Sequence, residues 1–175
     1  IASTAAVQAG WENFTKQLVI KPTGSGKTNE FCFIASEAMK RGERTLILAD
    51  QDELVTQPIK RLESSFGFTA GREQAEHRAS LNDMIIVGSV QTLMREKRLE
   101  RWPCDHFDLI IADEADKSLA ASWRRVLGRF DGNANVCGFT ATPNRSDKKN
   151  LGEYYESIAF EASLFDFIGD GKWAH

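Results

Sequence analysis

Gln17-Leu18-Val19-Ile20-Lys21-Pro22-Thr23-Gly24-Ser25-Gly26-Lys27-Thr28 is the stretch that decides the fold. The apolar run 17–20 reads as a strand, and Pro22 stops it because proline has no N–H to give a ladder. Gly24 and Gly26 let the backbone curl so that successive N–H groups turn inward as an anion site. Residues 28–41 follow with Phe31, Ile34, Ala35 and Ala38 at helical spacing, one buried face. A glycine-rich turn between a strand and a helix N-terminus is a phosphate-binding loop in its working context. Thr23, Gly24, Ser25, Gly26, Lys27 and Thr28 are its expected cradle. Lys27 carries the point charge for the β and γ phosphates, and Thr28 supplies a hydroxyl to magnesium. The strict pattern has glycine at position 21, where this chain has Lys21.

A second signal lies far along the chain. Phe107-Asp108-Leu109-Ile110-Ile111-Ala112 suits a strand buried on both faces, and Asp113 and Glu114 stand at its carboxyl end. Ligands of open α/β sheets collect at the carboxyl ends of strands. Two adjacent carboxylates repel and are costly to desolvate, and a hydrated magnesium ion would relieve both effects. Asp113 is the expected metal ligand and Glu114 the group that orients or deprotonates water. An acidic helix start is the blander reading of the pair. Val136-Cys137-Gly138-Phe139 then leads into Thr140-Ala141-Thr142-Pro143, where two hydroxyls at the end of a further strand could bond the carboxylates or the γ-phosphate environment.

These residues resemble the superfamily 2 helicases. Pro22 to Thr28 looks like motif I, Asp113-Glu114-Ala115-Asp116 like motif II in its DEAD spelling, and Thr140-Ala141-Thr142 like motif III. Leu46 to Leu54 is similar to motif Ia, and Ser89-Val90-Gln91-Thr92-Leu93 to motif Ib. The resemblance implies a three-layer α/β fold, the first RecA-like P-loop NTPase domain of a helicase, with a central, mainly parallel sheet. It implies ATP and Mg2+ as ligands, with Lys27, Asp113 and Glu114 catalytic. Asp50, Gln51, Gln91 and Thr92 fall at nucleic-acid-binding positions, and Thr140 and Thr142 at coupling positions. The Thr-Ala-Thr-Pro spelling and the run after it look closest to the DNA-directed restriction-motor and repair group. DNA is therefore favoured over RNA, although DEAD is the spelling of RNA helicases. An ATP-binding switch without turnover is a further reading. Two departures stand out: Asp50-Gln51 replaces the usual His-Arg of motif Ia, and Gln8 lies too close to the loop for an adenine-reading glutamine. The resemblance also implies a second domain carrying motifs IV to VI, so the chain reads as a fragment. On that reading 1–175 is one ATP-binding domain with little or no hydrolysis alone.

Composition fits one domain of 175 residues, 42% hydrophobic, with net charge −3. The overall charge does not advertise nucleic-acid binding. Arg95, Lys97, Arg98 and Arg101 cluster after motif Ib and read either as part of a basic groove or as a solvated helix face. No apolar run reaches the roughly 18 residues that span a bilayer, and no signal peptide is visible, so the cytoplasm is the expected compartment. Cys32, Cys104 and Cys137 form no zinc spacing, and His77, His106 and His175 no ligand set.

Alternation predicts strands near 17–21, 45–49, 84–88, 107–112 and 135–140, separated by helices over 27–41, about 51–65, about 90–100 and 117–130. Pro58 should kink or restart the second helix. Residues 67–83 read as a mobile loop, 157–161 as a short strand and 163–169 as a helix. Trp102 is the tryptophan expected at the surface.

Overall fold

The computed structural model describes residues 2–141 and 143–163. Seven strands form one sheet: β1 (Lys16–Ile20), β2 (Thr45–Ala49), β3 (Gly71–Glu73), β4 (Ile85–Ser89), β5 (Leu109–Asp113), β6 (Asn135–Thr140) and β7 (Ser157–Glu161). Their order is β3-β4-β2-β5-β6-β1-β7, and every neighbouring pair is parallel. The helices are α1 (Ala2–Gly10), α2 (Lys27–Lys40), α3 (Thr56–Arg61), α4 (Val90–Leu93), α5 (Glu96–Leu99), α6 (Ala121–Phe130) and α7 (Arg145–Leu151).

The strands are apolar in both directions because both sheet faces are covered. Leu18, Ile20, Leu46, Leu48, Ile110 and Val136 pack with Trp123, Val126 and Leu127 of α6. The alternate strand residues Val19, Ile47, Ile111, Cys137 and Phe139 pack with Phe31, Ile34 and Ala35 of α2 on the opposite face. The result is the three-layer architecture expected, with a sheet that is wholly parallel among the described residues.

Local departures from expectation have physical causes. The stretch 51–66 is a 3-10 turn (Asp52–Leu54), then α3, then a π-helical turn (Leu62–Phe66) that Gly67 ends at φ 70°. The stretch restarts as α3 at Thr56, and Pro58 sits in that first turn, where its missing N–H would have no intrahelical partner. The span 90–100 divides into α4 and α5, with Arg95 extended between them.

Residues 67–83 are corrected from loop to anchored edge: β3 pairs with β4, and Glu73 is 0% exposed. Its carboxylate accepts Arg98 Nε at 2.7 Å, Arg101 Nη1 at 3.1 Å and the Ala79 N–H at 2.9 Å. Arg98 also donates to the carbonyls of Ala75 and His77, and Arg101 to that of Ala79. Two members of the basic cluster are thus spent on the fold, while Arg95 and Lys97 stay exposed.

Trp102 is also corrected. It is 0% exposed, 5.5 Å from the Phe107 ring and 5.0 Å from that of His106. Helix α7 went unpredicted, although its signal was present: Asn144 Oδ1 caps it by accepting the Asp147 N–H at 2.9 Å. Strand β7 falls where expected. The helix expected over 163–169 lies outside the described residues.

Candidate active site

The phosphate loop leaves the carboxyl end of β1 and enters α2. Its backbone is held where the Lys21 N–H donates to the Thr140 carbonyl at 3.0 Å, tying the loop to β6. Gly24 and Gly26 have φ of 77° and 84°. A Cβ at Gly26 would meet nothing within 4 Å, so glycine is needed there for backbone conformation and not for space. Gly26 is also the N-cap of α2 and gives no side-chain cap. The first amides of a 14-residue helix are thereby left to face an anion.

Lys27 Nζ reaches back to the carbonyls of Lys21 at 3.1 Å and Pro22 at 3.3 Å. Burial lowers its ammonium below the ordinary lysine range, while Glu114 and Asp113 pull the other way. Lys21 is accommodated because its side chain turns away from the loop. It is 6% exposed, and Nζ lies 2.6 Å from Glu30 Oε2 on α2 and 3.5 Å from Ser3 Oγ on α1. Its ammonium also lies over the Phe160 ring of β7 at 5.7 Å. Lys21 therefore joins three elements behind the loop without entering the cradle.

Asp113 ends β5 and Glu114 makes the turn. Glu114 has φ 63° and ψ 52°, a left-handed conformation that costs a non-glycine residue about 1–3 kcal/mol. That reversal leads into a 3-10 turn, Ala115–Lys117. Asp113 Oδ1 accepts the Glu114 N–H at 3.1 Å. Burial first, and then the Glu114 charge, push the Asp113 carboxyl up to about 6, with Lys27 opposing. Lys27, Asp113 and Glu114 thus sense one another electrostatically in a single site at the sheet's carboxyl end.

Thr140, at the end of β6, donates Oγ1 to Asp116 Oδ1 at 3.2 Å. The carboxylate bonded is that of Asp116, the last residue of the acidic motif, and not that of Asp113 or Glu114. Thr142 lies outside the described residues. The approach of β6 to the acidic turn depends on Gly138, where a Cβ would fall 2.8 Å from Ala115 Cβ and 2.5 Å from the Tyr155 hydroxyl. Tyr155 shares a 2.8 Å hydrogen bond with Ser118 Oγ beneath the same turn. Sequence reading missed Tyr155 and Ser118, because no local pattern ties residues 37 apart.

Magnesium takes hard oxygen ligands and keeps several waters. The Thr28 hydroxyl and Asp113 carboxylate are donors of that chemistry. Among the described residues no group of three or more His, Cys, Asp or Glu could hold a metal ion. Such a donor set fits an ion shared with phosphates and water and not one caged by protein.

The positions expected to bind nucleic acid divide. Gln51 and Gln91 are exposed after β2 and β4. Thr92 is 1% exposed, and its hydroxyl accepts the Ala75 N–H at 2.9 Å, so its side chain holds the β3 segment and offers no contact surface. Asp50 is likewise committed. Its Oδ2 lies 2.6 Å from Lys117 Nζ, and its Oδ1 accepts Trp123 Nε1 at 3.0 Å. Burial raises the Asp50 carboxyl, but those two partners prevail and hold it below the ordinary range. Gln8 lines a cleft with Trp11, Arg41, Asp108 and Leu109, at the opposite end of the sheet from the phosphate loop.

The architecture and site define a RecA-like P-loop domain of the superfamily 2 helicase type. More particularly, the chain belongs to the ResIII family, described as type III restriction enzyme, res subunit, which matches residues 1–145. The chain is 32% identical over 165 residues to the Saccharomyces cerevisiae protein named "Putative ATP-dependent helicase IRC3", covering 86% of this chain and 24% of that protein. The chain thus spans about a quarter of the length of that curated relative. The fold is similar to S. cerevisiae Dbp5 bound to RNA and ADP BeF3 (TM-score 0.76, 17% identity, 93% of this chain and 46% of that one). It is also similar to the Type ISP restriction-modification enzyme LlaGI in complex with a DNA substrate mimic (TM-score 0.72, 17% identity, 97% and 20%).

Proposed function

We propose that this domain binds Mg–ATP in a DNA-dependent ATPase motor, a helicase or translocase. The observation that carries the reading is the order of the sheet. The phosphate loop and the acidic turn follow β1 and β5, and Thr140 ends β6, the strand between them. Exposed Gln51 and Gln91 follow β2 and β4, the next two strands along. One edge of the carboxyl end is thus suited to nucleotide and the adjoining edge to a sugar-phosphate backbone, touched without reading sequence.

In this reading the α2 amides and Lys27 bind the phosphates, and Glu114 orients or deprotonates the attacking water. Thr28 and Asp113 would hold magnesium, whose chemistry is to neutralise charge on the phosphoryl oxygens. Transition-state cations come from a second domain of like fold, since an arginine finger is worth roughly 10³–10⁵ in rate. Supporting this, Arg124 lies 3.8 Å from Glu153, and Arg129 donates to the Trp102 carbonyl. The isolated domain then binds ATP with little or no turnover. The cytoplasmic compartment belongs to the same proposal, and fractionation checks it. Among the described residues no helix is long and apolar enough to cross a membrane.

RNA is the second reading, favoured by the Asp113-Glu114-Ala115-Asp116 spelling. The test is ATP hydrolysis by the full-length protein alone, with DNA and with RNA. Stimulation by DNA supports the proposal, and stimulation by RNA only transfers it to RNA. ATP binding without hydrolysis under any condition makes the protein a nucleotide switch. Glu114→Gln should keep ATP affinity and lose about 10²–10⁴-fold in turnover, the usual range for a general base.

A further inference from the structure

We infer that the Asp50–Lys117 ion pair couples the nucleic-acid edge of the domain to its catalytic carboxylates, an inference that rests on the motor reading above. Asp50 is an anion on a face that would meet phosphates, where a cation or neutral donor would serve contact better. Its geometry points inward instead. Strands β2 and β5 are neighbours, with Leu48 opposite Ala112, so the loops that follow them emerge side by side. Asp50 bridges these loops, 2.6 Å from Lys117 Nζ and 3.0 Å from Trp123 Nε1 of α6.

Each end of the bridge is joined to a functional segment. Lys117 follows Asp116 directly, and its N–H donates to the Glu114 carbonyl at 3.0 Å, so it moves with the acidic turn. Asp116 in turn accepts from Thr140 at 3.2 Å. On the other side Asp50 precedes exposed Gln51, and the Asp52 carbonyl accepts Gln74 Nε2 at 2.8 Å. The next residue, Ala75, donates its N–H to Thr92 Oγ1 at 2.9 Å, beside exposed Gln91. Hydrogen bonds therefore connect both nucleic-acid positions with Glu114.

Coupling also needs an element with two discrete arrangements, and a chain of contacts alone is insufficient. That role falls to Glu114, whose backbone at φ 63° is left-handed and strained, so that a pull on the turn would reorient its carboxylate. Backbone phosphate settling on Gln51 and Gln91 shifts the β2 loop, and Asp50 passes the shift to Lys117. Asp50 and Lys117 are positioning residues, bonded to each other and, through Asp50, to Trp123.

The test is a double-mutant cycle in the full-length protein, read as the ratio of ATPase rate with saturating DNA to the rate without. Lys117→Met is expected to leave the DNA-free rate and ATP affinity unchanged and to lower the ratio about two- to fivefold, the range of a partly exposed ion pair. Lys117→Arg should restore the ratio. Asp50→Asn alone should lower the ratio by a similar factor, and adding it to Lys117→Met should cost little more, since the bond is already lost. Thermal melting controls for folding; Lys117 is 40% exposed, so its removal leaves the core intact. A parent ratio above one that is unchanged in Lys117→Met, or losses that multiply in the double variant, overturns the coupling and leaves the motor reading standing. A parent that no nucleic acid stimulates removes the motor reading and the coupling together.

Discussion

Asp113→Asn should stabilise the protein near neutral pH while destroying its function. In the folded chain burial and Glu114 bring the Asp113 carboxyl up to about 6, against 3.8 for the ordinary group. The folded state thus holds the proton more tightly than the unfolded state. Folding takes up a proton between about pH 4 and pH 6, so stability falls as pH rises through that window and stays reduced above it. About two pKa units at roughly 1.36 kcal/mol each amount to roughly 3 kcal/mol. Asparagine removes the charge and keeps a carbonyl oxygen in place of Oδ1, which accepts the Glu114 N–H. In magnesium-free buffer, urea unfolding at pH 7.5 should show the variant more stable by up to about 3 kcal/mol, and the gap should close by about pH 4. Magnesium-dependent ATP binding should weaken in the same variant. Equal or lower stability of Asp113→Asn at pH 7.5 would refute the claim that the Asp113 carboxylate, the proposed metal ligand, is electrostatically strained.

Lys27→Ala should abolish ATP binding, measured by calorimetry; normal affinity would remove Lys27 from the site. Glu73→Ala should destabilise the domain by about 3–5 kcal/mol, because it strands Arg98 without its buried carboxylate. Proteolysis within residues 71–83 should then accelerate, and an unchanged melting temperature would contradict the anchored edge. Thr140→Val removes one hydrogen bond to Asp116, worth about 1 kcal/mol, and should spare ATP affinity while impairing unwinding. Unchanged strand separation would reduce Thr140 to a structural role.

The strands of the inner sheet were legible because each is an apolar run buried on both faces, and no other short element carries that pattern. The phosphate loop was legible because its glycines are required locally, at positive φ, whatever the rest of the chain does. The segment 67–83 was not legible. Its order comes from Glu73, Arg98 and Arg101, which are separated by 25 and 28 residues and look like solvated charges until folding brings them together. Trp102 misled for a related reason: a tryptophan before a proline reads as loop, while its neighbours Phe107 and Phe130 make it core. Asp50 was legible as a departure from its motif, but its partner was not, because Lys117 lies 67 residues away.

Sequence by itself determined the alternation of strands and helices, the nucleotide cradle and the acidic turn, since periodicity and backbone-forced glycines are properties of neighbouring residues. Tertiary structure alone decided which charges serve the fold and which face a ligand. Arg95 and Lys97 remain open to solvent, while Arg98, Arg101, Lys21 and Asp50 are consumed by partners distant along the chain or on other elements. A charge has no direction in sequence. It acquires one when strand order brings an opposite charge within bonding distance or leaves it facing water.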